Sequence, residues 1–149
     1  MTLKQKVHTT CIQLLNEKML SLQSALNDLR DGIESDGKST AGDKHETARA
    51  MAHIEQEQLA KQLHDVQVQK SALDKINPDT ITPQITNGSL VKTDKGYFYL
   101  SVALGKVMAD SVQVVALSPH SPLGAKWMGA KVNDMIELNK VQYIIEDVC

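Results

Sequence analysis

Apolar residues recur along positions 5–33 at alternating spacings of three and four: Ile12, Leu15, Met19, Leu22, Leu26, Leu29 and Ile33. A single narrow seam of this kind is the mark of a two-helix coiled coil, whereas a helix lying on a globular core carries a wider stripe. A second periodic stretch runs from about Asp43 to Lys75, with Ala52, Leu59, Leu63, Val66 and Leu73 in its seam and Gln56 and Lys70 interrupting it. Between the two, Gly32, Gly37 and Gly42, with Ser35, Asp36, Ser39 and Thr40, break the helical pattern. Two helices of similar length joined by a short Gly-rich connection are expected to fold back antiparallel. A helix of some thirty residues is roughly 45–50 Å long, so the tip, about residues 34–47, is expected to stand far from the base.

The pattern changes at Asn77-Pro78, which ends the second helix. Residues 77–88 read as a linker. Ser89–Thr93 and Tyr97–Leu104 then flank the turn signal Asp94-Lys95-Gly96. Ser111–Leu117 is a Val-rich strand. Ser121-Pro122 has the form of an N-cap with proline at the first helical position, opening a short helix that ends near Gly129. Met135–Leu138 and Val141–Val148 pair around Asn139-Lys140. The expected class is therefore α+β: an antiparallel coiled-coil hairpin over 1–76, followed by a small antiparallel β domain with one short helix over 77–149.

Composition sharpens that division. All five aromatic residues (Tyr97, Phe98, Tyr99, Trp127, Tyr143) and all four prolines fall after residue 76 of the 149. Charge is even: residues 1–76 carry ten basic and eleven acidic side chains, residues 77–149 six and seven. With no basic block, autonomous nucleic-acid binding is not expected. No apolar run reaches transmembrane length and no signal-peptide pattern stands near Met1, so a cytoplasmic protein without a membrane partner is expected. Cys11 and Cys149 have no metal-ligand or CxxC spacing and are expected to be reduced and incidental.

No nucleophile–base constellation, Gly-rich phosphate loop or aromatic RNA-binding motif stands in the chain. His45 and His53 are eight apart, and a metal site there would need more ligands. The candidate chemistry lies in Asp43 and Glu46, three apart at the start of the second helix. One reading is a capping box, with Asp43 as N-cap and Glu46 reaching back to it. The other is delivery of charge: carboxylates at a helix N-terminus are stabilised as anions and are ready to hold a hard divalent cation. Two carboxylates fall short of an octahedral Mg²⁺ site, so a partner would supply the remaining oxygens. Spacing leaves both readings open.

The segment Gly42-Asp43-Lys44-His45-Glu46-Thr47-Ala48 resembles the G-D-x-x-E-N-A tip of the Gre-type transcript cleavage factors of bacterial RNA polymerase. The tract Ser121-Pro122-Leu123-Gly124-Ala125-Lys126-Trp127-Met128-Gly129-Ala130-Lys131-Val132-Asn133-Asp134 resembles that family's S-P-[IL]-[GA]-x-A-L-[LIM]-G-K-x-x-G-D segment. The order of hairpin and β domain is also similar, so the resemblance covers essentially the whole chain. It implies an FKBP-like second domain and a transcription elongation factor whose coiled coil enters the polymerase secondary channel. It implies that Asp43 and Glu46 hold a Mg²⁺ shared with the polymerase and promote cleavage of backtracked RNA near the nascent 3′ end. The hydrolysis would then be the polymerase's own, the factor being no enzyme by itself, and a monomer is expected. At family level only, DNA binding also attaches to the resemblance.

Ser121, Pro122, Leu123 and Trp127 fall in the family's polymerase-docking domain and are candidate contacts there, with a core role as the other reading of Trp127. Lys38, Lys44 and Arg49 are candidate contacts to RNA phosphates or the channel wall, or ordinary solvated residues. Three positions depart from the family: Thr47 replaces the Asn of the tip, and Arg49 and Ala50 stand where an acid and an aromatic are usual. A non-cleaving regulator in the same channel, or a structural interaction module, are the alternative functions. Prolyl isomerase activity is not expected from an FKBP-like fold alone.

Overall fold

The computed structural model describes residues 1–36 and 43–149, with backbone only at positions 35, 36 and 43–45. The helices are α1 (Leu3–Asp36), α2 (Asp43–Asp74) and α3 (Pro122–Trp127). The strands are β1 (Leu90–Thr93), β2 (Gly96–Leu100), β3 (Gly105–Ala109), β4 (Val112–Leu117), β5 (Met135–Leu138) and β6 (Val141–Val148). The chain forms two compact units. One is Leu14–Lys70; the other joins Met1–Gln13 to Ser71–Cys149.

In the helical unit, Leu15, Leu26 and Val66 are buried, and Met19, Leu22, Leu29 and Ile33 are half-buried on α1. On α2 Ala52, Gln56, Leu59, Leu63, Val66 and Lys70 are sheltered at spacings of four and three, with Gln69 half-buried beside them. Both helices therefore hide one coiled-coil stripe, and Gln56 and Lys70 occupy the stripe rather than lying beside it. Lys18 lines one depression with Gln62, His64, Asp65 and Val68, so the two helices lie side by side. A parallel pair would need a connection as long as α1, roughly 50 Å, whereas six connecting residues span at most about 21 Å. Helix α2 therefore runs back antiparallel.

In the second unit the six strands form one sheet in the order β3-β4-β2-β1-β6-β5. The β3–β4 and β5–β6 hairpins turn through Asp110-Ser111 and Asn139-Lys140, all four at positive φ. That is the type I′ geometry whose twist matches a right-twisted strand pair. The pairing of Met135–Leu138 with Val141–Val148 has the expected bounds. One pairing adds to the antiparallel scheme: β2 and β4 run parallel. The cause is β3 (Gly105–Ala109), a strand that begins just after the expected strand Tyr97–Leu104. The chain turns back at Gly105 (φ 73°), forms the edge strand, and returns as β4 beside β2.

Both faces of this sheet are covered. Val91, Phe98, Leu100, Leu117 and Ile145 form a core with Ile85 and Trp127 on one face. On the other, Leu90, Tyr99, Val107, Val114 and Ala116 are buried, as are Val7, His8 and Cys11 of α1 and Leu73 of α2. Residues 77–88, expected as a linker, pack into the unit. Ile85 is fully buried, accepts from Gly129 N at 2.8 Å and donates to Ala130 O at 2.8 Å.

Helix α3 starts as its sequence predicts. Ser121 Oγ accepts from Gly124 N at 3.1 Å and donates to Ser118 O at 2.6 Å, and Pro122 occupies the first turn. Gly124 is fixed by crowding. A Cβ there would collide with Ser118 O and lie 2.9 Å from Ser121 Oγ and 3.0 Å from Pro119 Cα. Gly124→Ala is expected to destabilise the unit by about 1–3 kcal/mol through overpacking, even though alanine is the better helix former. Chemical denaturation followed by far-UV circular dichroism measures it.

Candidate functional site

The residue-type signal points to the loop end of the helical pair. Helix α2 begins at Asp43 itself, so positions 43 and 46 both lie within its first turns, three apart on one helix face. The Asp43 side chain lies outside the described residues. Glu46 and Arg49 are exposed. Lys38 and the Lys44 side chain also lie outside the described residues.

Among the described residues no group of three or more His, Cys, Asp or Glu side chains could hold a metal ion.

The α3 tract has a different character. Ser121 spends its hydroxyl on the cap, and half-buried Leu123 packs against the core. Pro122 is exposed. Trp127 corrects the expectation of a docking contact: it is 0% exposed and meets Phe98 edge-on at 4.7 Å and Tyr143 at 5.4 Å. Leu123 and Trp127 are four apart, so one side of α3 faces the core and carries both. Asp134 Oδ2 accepts from Lys131 N at 2.9 Å, closing the tract on itself. Each of these residues has a duty in building the fold.

His8 is a buried polar residue that periodicity did not reveal, because its neighbours Val7 and Cys11 carry the apolar signal. Its Nδ1 and the Tyr99 hydroxyl share a 2.7 Å hydrogen bond in the interior. Burial, helped by the Lys4 ammonium and opposed by Asp74, holds the imidazole below its ordinary pKa of 6.5. The unfolded chain then binds the extra proton first. Stability is fully present above about pH 6.5 and falls as pH drops through that value, by up to about 1.4 kcal/mol per unit of pKa difference. Denaturant midpoints between pH 8 and pH 5 should decline more steeply in the parent than in His8→Gln. Cys11, beside it, has its thiol pushed up to about 11 by burial, so it stays protonated at neutral pH.

No helix among the described residues is long and apolar enough to cross a membrane. No protein-family model matches the chain, and no curated protein matches it. Among solved structures, the chain is similar to the crystal structure of GreA factor homolog 1 of Thermus thermophilus, with 13% identity and a TM-score of 0.35 over 93% of this chain and 94% of that one.

Proposed function

We propose that this protein is a secondary-channel factor of bacterial RNA polymerase that stimulates cleavage of backtracked RNA. The observation that carries the reading is the placement of Asp43 and Glu46 in the first turns of α2, at the loop end of a paired helical stripe. The surrounding Gly42–Ala48 segment and the Ser121–Asp134 tract supply the sequence likeness. The fold-building duties of the second tract support an FKBP-like second unit.

In this reading the helical pair enters the channel, and Asp43 and Glu46 would hold a Mg²⁺ shared with the polymerase. A divalent ion held by these acids would supply Lewis-acid chemistry for phosphodiester hydrolysis by water. Arg49, with Lys38 and Lys44, meets RNA phosphate or the channel wall, and the exposed rim at Pro122, flanked by Ser121 and Leu123, docks the second unit. The protein acts as a cytoplasmic monomer and has no hydrolytic activity alone.

The test is a stalled, backtracked polymerase complex mixed with the protein and Mg²⁺; shortening of the RNA from its 3′ end is the expected result. Thr47, Arg49 and Ala50, the departures at the tip, favour a second reading: a regulator that occupies the channel without promoting cleavage. Binding without shortening selects that reading. Absence of binding removes both and leaves a structural interaction module.

A further inference from the structure

Between the end of α2 and the loop before β1 lies a depression of about 240 Å³ whose lining includes Lys4, Lys75, Thr80, Thr82, Thr86 and Ser89. Its wall contains two lysines, several hydroxyl and amide side chains, and no carboxylate. That is an unusual local balance in a chain whose net charge is -2.

Lys4 is the telling residue. It is 5% exposed, and its ammonium donates one 2.6 Å hydrogen bond, to Thr80 O. Among the described residues no carboxylate lies within ion-pair range of Lys4 or Lys75, whereas Lys6 and Lys95 have such partners in Asp110 and Asp94. An ammonium sheltered from water, with one of its three donors used, is costly unless an anion approaches. Burial holds the Lys4 pKa below its usual value, and the nearby Cys149 and Asp79 offset this only in part. Lys75 is exposed at the rim and makes no hydrogen bond or ion pair among the described residues.

We infer that this depression is a binding site for a phosphate-sized oxyanion, held by Lys4 from within and Lys75 from the rim, with the hydroxyls of Thr80, Thr86 and Ser89 as neutral donors. The site is separate from the tip acids and independent of the polymerase reading. It would take inorganic phosphate or the phosphate group of a small monoester.

The experiment is thermal unfolding of the full chain in increasing sodium phosphate, against sodium chloride at equal ionic strength. The expected result is a saturable rise in Tm. A generic effect of an excluded anion grows without saturating. Lys75→Gln should leave the Tm in chloride unchanged and raise the half-saturating phosphate concentration about tenfold, the scale of one charge-assisted hydrogen bond. Lys4→Met should abolish the rise, but it also removes the bond to Thr80, so Lys75→Gln carries the decision. Glycerol 3-phosphate in place of phosphate separates the two sources: half-saturation at lower concentration marks a monoester site, at higher concentration a site for the free ion. A Tm that rises without saturation in the parent, or an unchanged half-saturation point in Lys75→Gln, overturns the site.

Discussion

Trp127→Ala is expected to cost the β unit about 3–5 kcal/mol, the range for removing a fully buried large aromatic. The ring has no exposed surface and sits in an edge-to-face cluster with Phe98 and Tyr143, themselves 5.8 Å apart. Its loss opens a cavity against Ile85, Leu100 and Ile145, which are also fully buried. Trp127→Phe should cost much less. The indole Nε1 has no hydrogen-bond partner among the described residues, so replacing it removes an unsatisfied donor along with some volume. The gap between the two substitutions measures packing apart from polarity. Trp127 is the one tryptophan of the chain, so far-UV circular dichroism rather than intrinsic fluorescence must follow unfolding. Near-parental stability in Trp127→Ala would be the signature of a surface contact and would contradict this packing.

Asp43→Asn is expected to leave folding and polymerase binding intact while lowering cleavage of a backtracked complex on the order of 100-fold. That is the scale on which a single preorganised group aimed at a reacting centre acts. Asparagine and aspartate serve the start of a helix about equally, so a capping role survives the change. What goes is one anionic ligand, together with at most about 1 kcal/mol of helix-dipole interaction. Glu46→Gln removes the other charge from an exposed side chain and should behave alike. The double variant should fall little below either single one, because a shared cation lost once cannot be lost again. The decisive measurement compares, for parent and variants, the 3′-shortening rate at saturating factor with the concentration needed to saturate. A fall in rate at constant half-saturation assigns the acids to chemistry. Equal cleavage by parent and variants would return them to helix capping.

Much of this architecture can be read from spacing, and the exceptions have physical causes. The seams of α1 and α2 are legible because burial along both helices follows the heptad closely. At the base that rule fails. Lys4, Val7, His8 and Cys11 share one face of α1, but two of the four are polar by type. Their burial depends on Thr80 O and the Tyr99 hydroxyl, partners distant in sequence. The composition break at residue 76 marks where aromatic residues begin, while compactness groups Met1–Gln13 with Ser71–Cys149.

In the β unit, two-residue turns of Asp, Ser, Asn and Lys set strand ends where they occur. β3 escaped because the two-residue step from Ala103-Leu104 through Gly105 into Lys106–Ala109 carries no Asn, Asp or Pro turn signal. Phe98 is legible as core, yet Tyr99 is equally buried: β2 is covered on both faces, and alternation holds only for a sheet with one wet side. At the candidate site, sequence supplies the identity and spacing of the acids. In the proposed function their value depends on oxygens from another molecule, which no intramolecular pattern encodes.

Gln56 and Lys70 sit in a stripe that could have been wholly apolar. Two smooth hydrocarbon surfaces can slide past each other by a heptad at little cost, and such a slip displaces one helix by about 10 Å. Polar groups set into the stripe find satisfactory neighbours in one alignment and lose them in the next. They act as teeth in a ratchet, giving up some cohesion so that the two helices keep a single alignment.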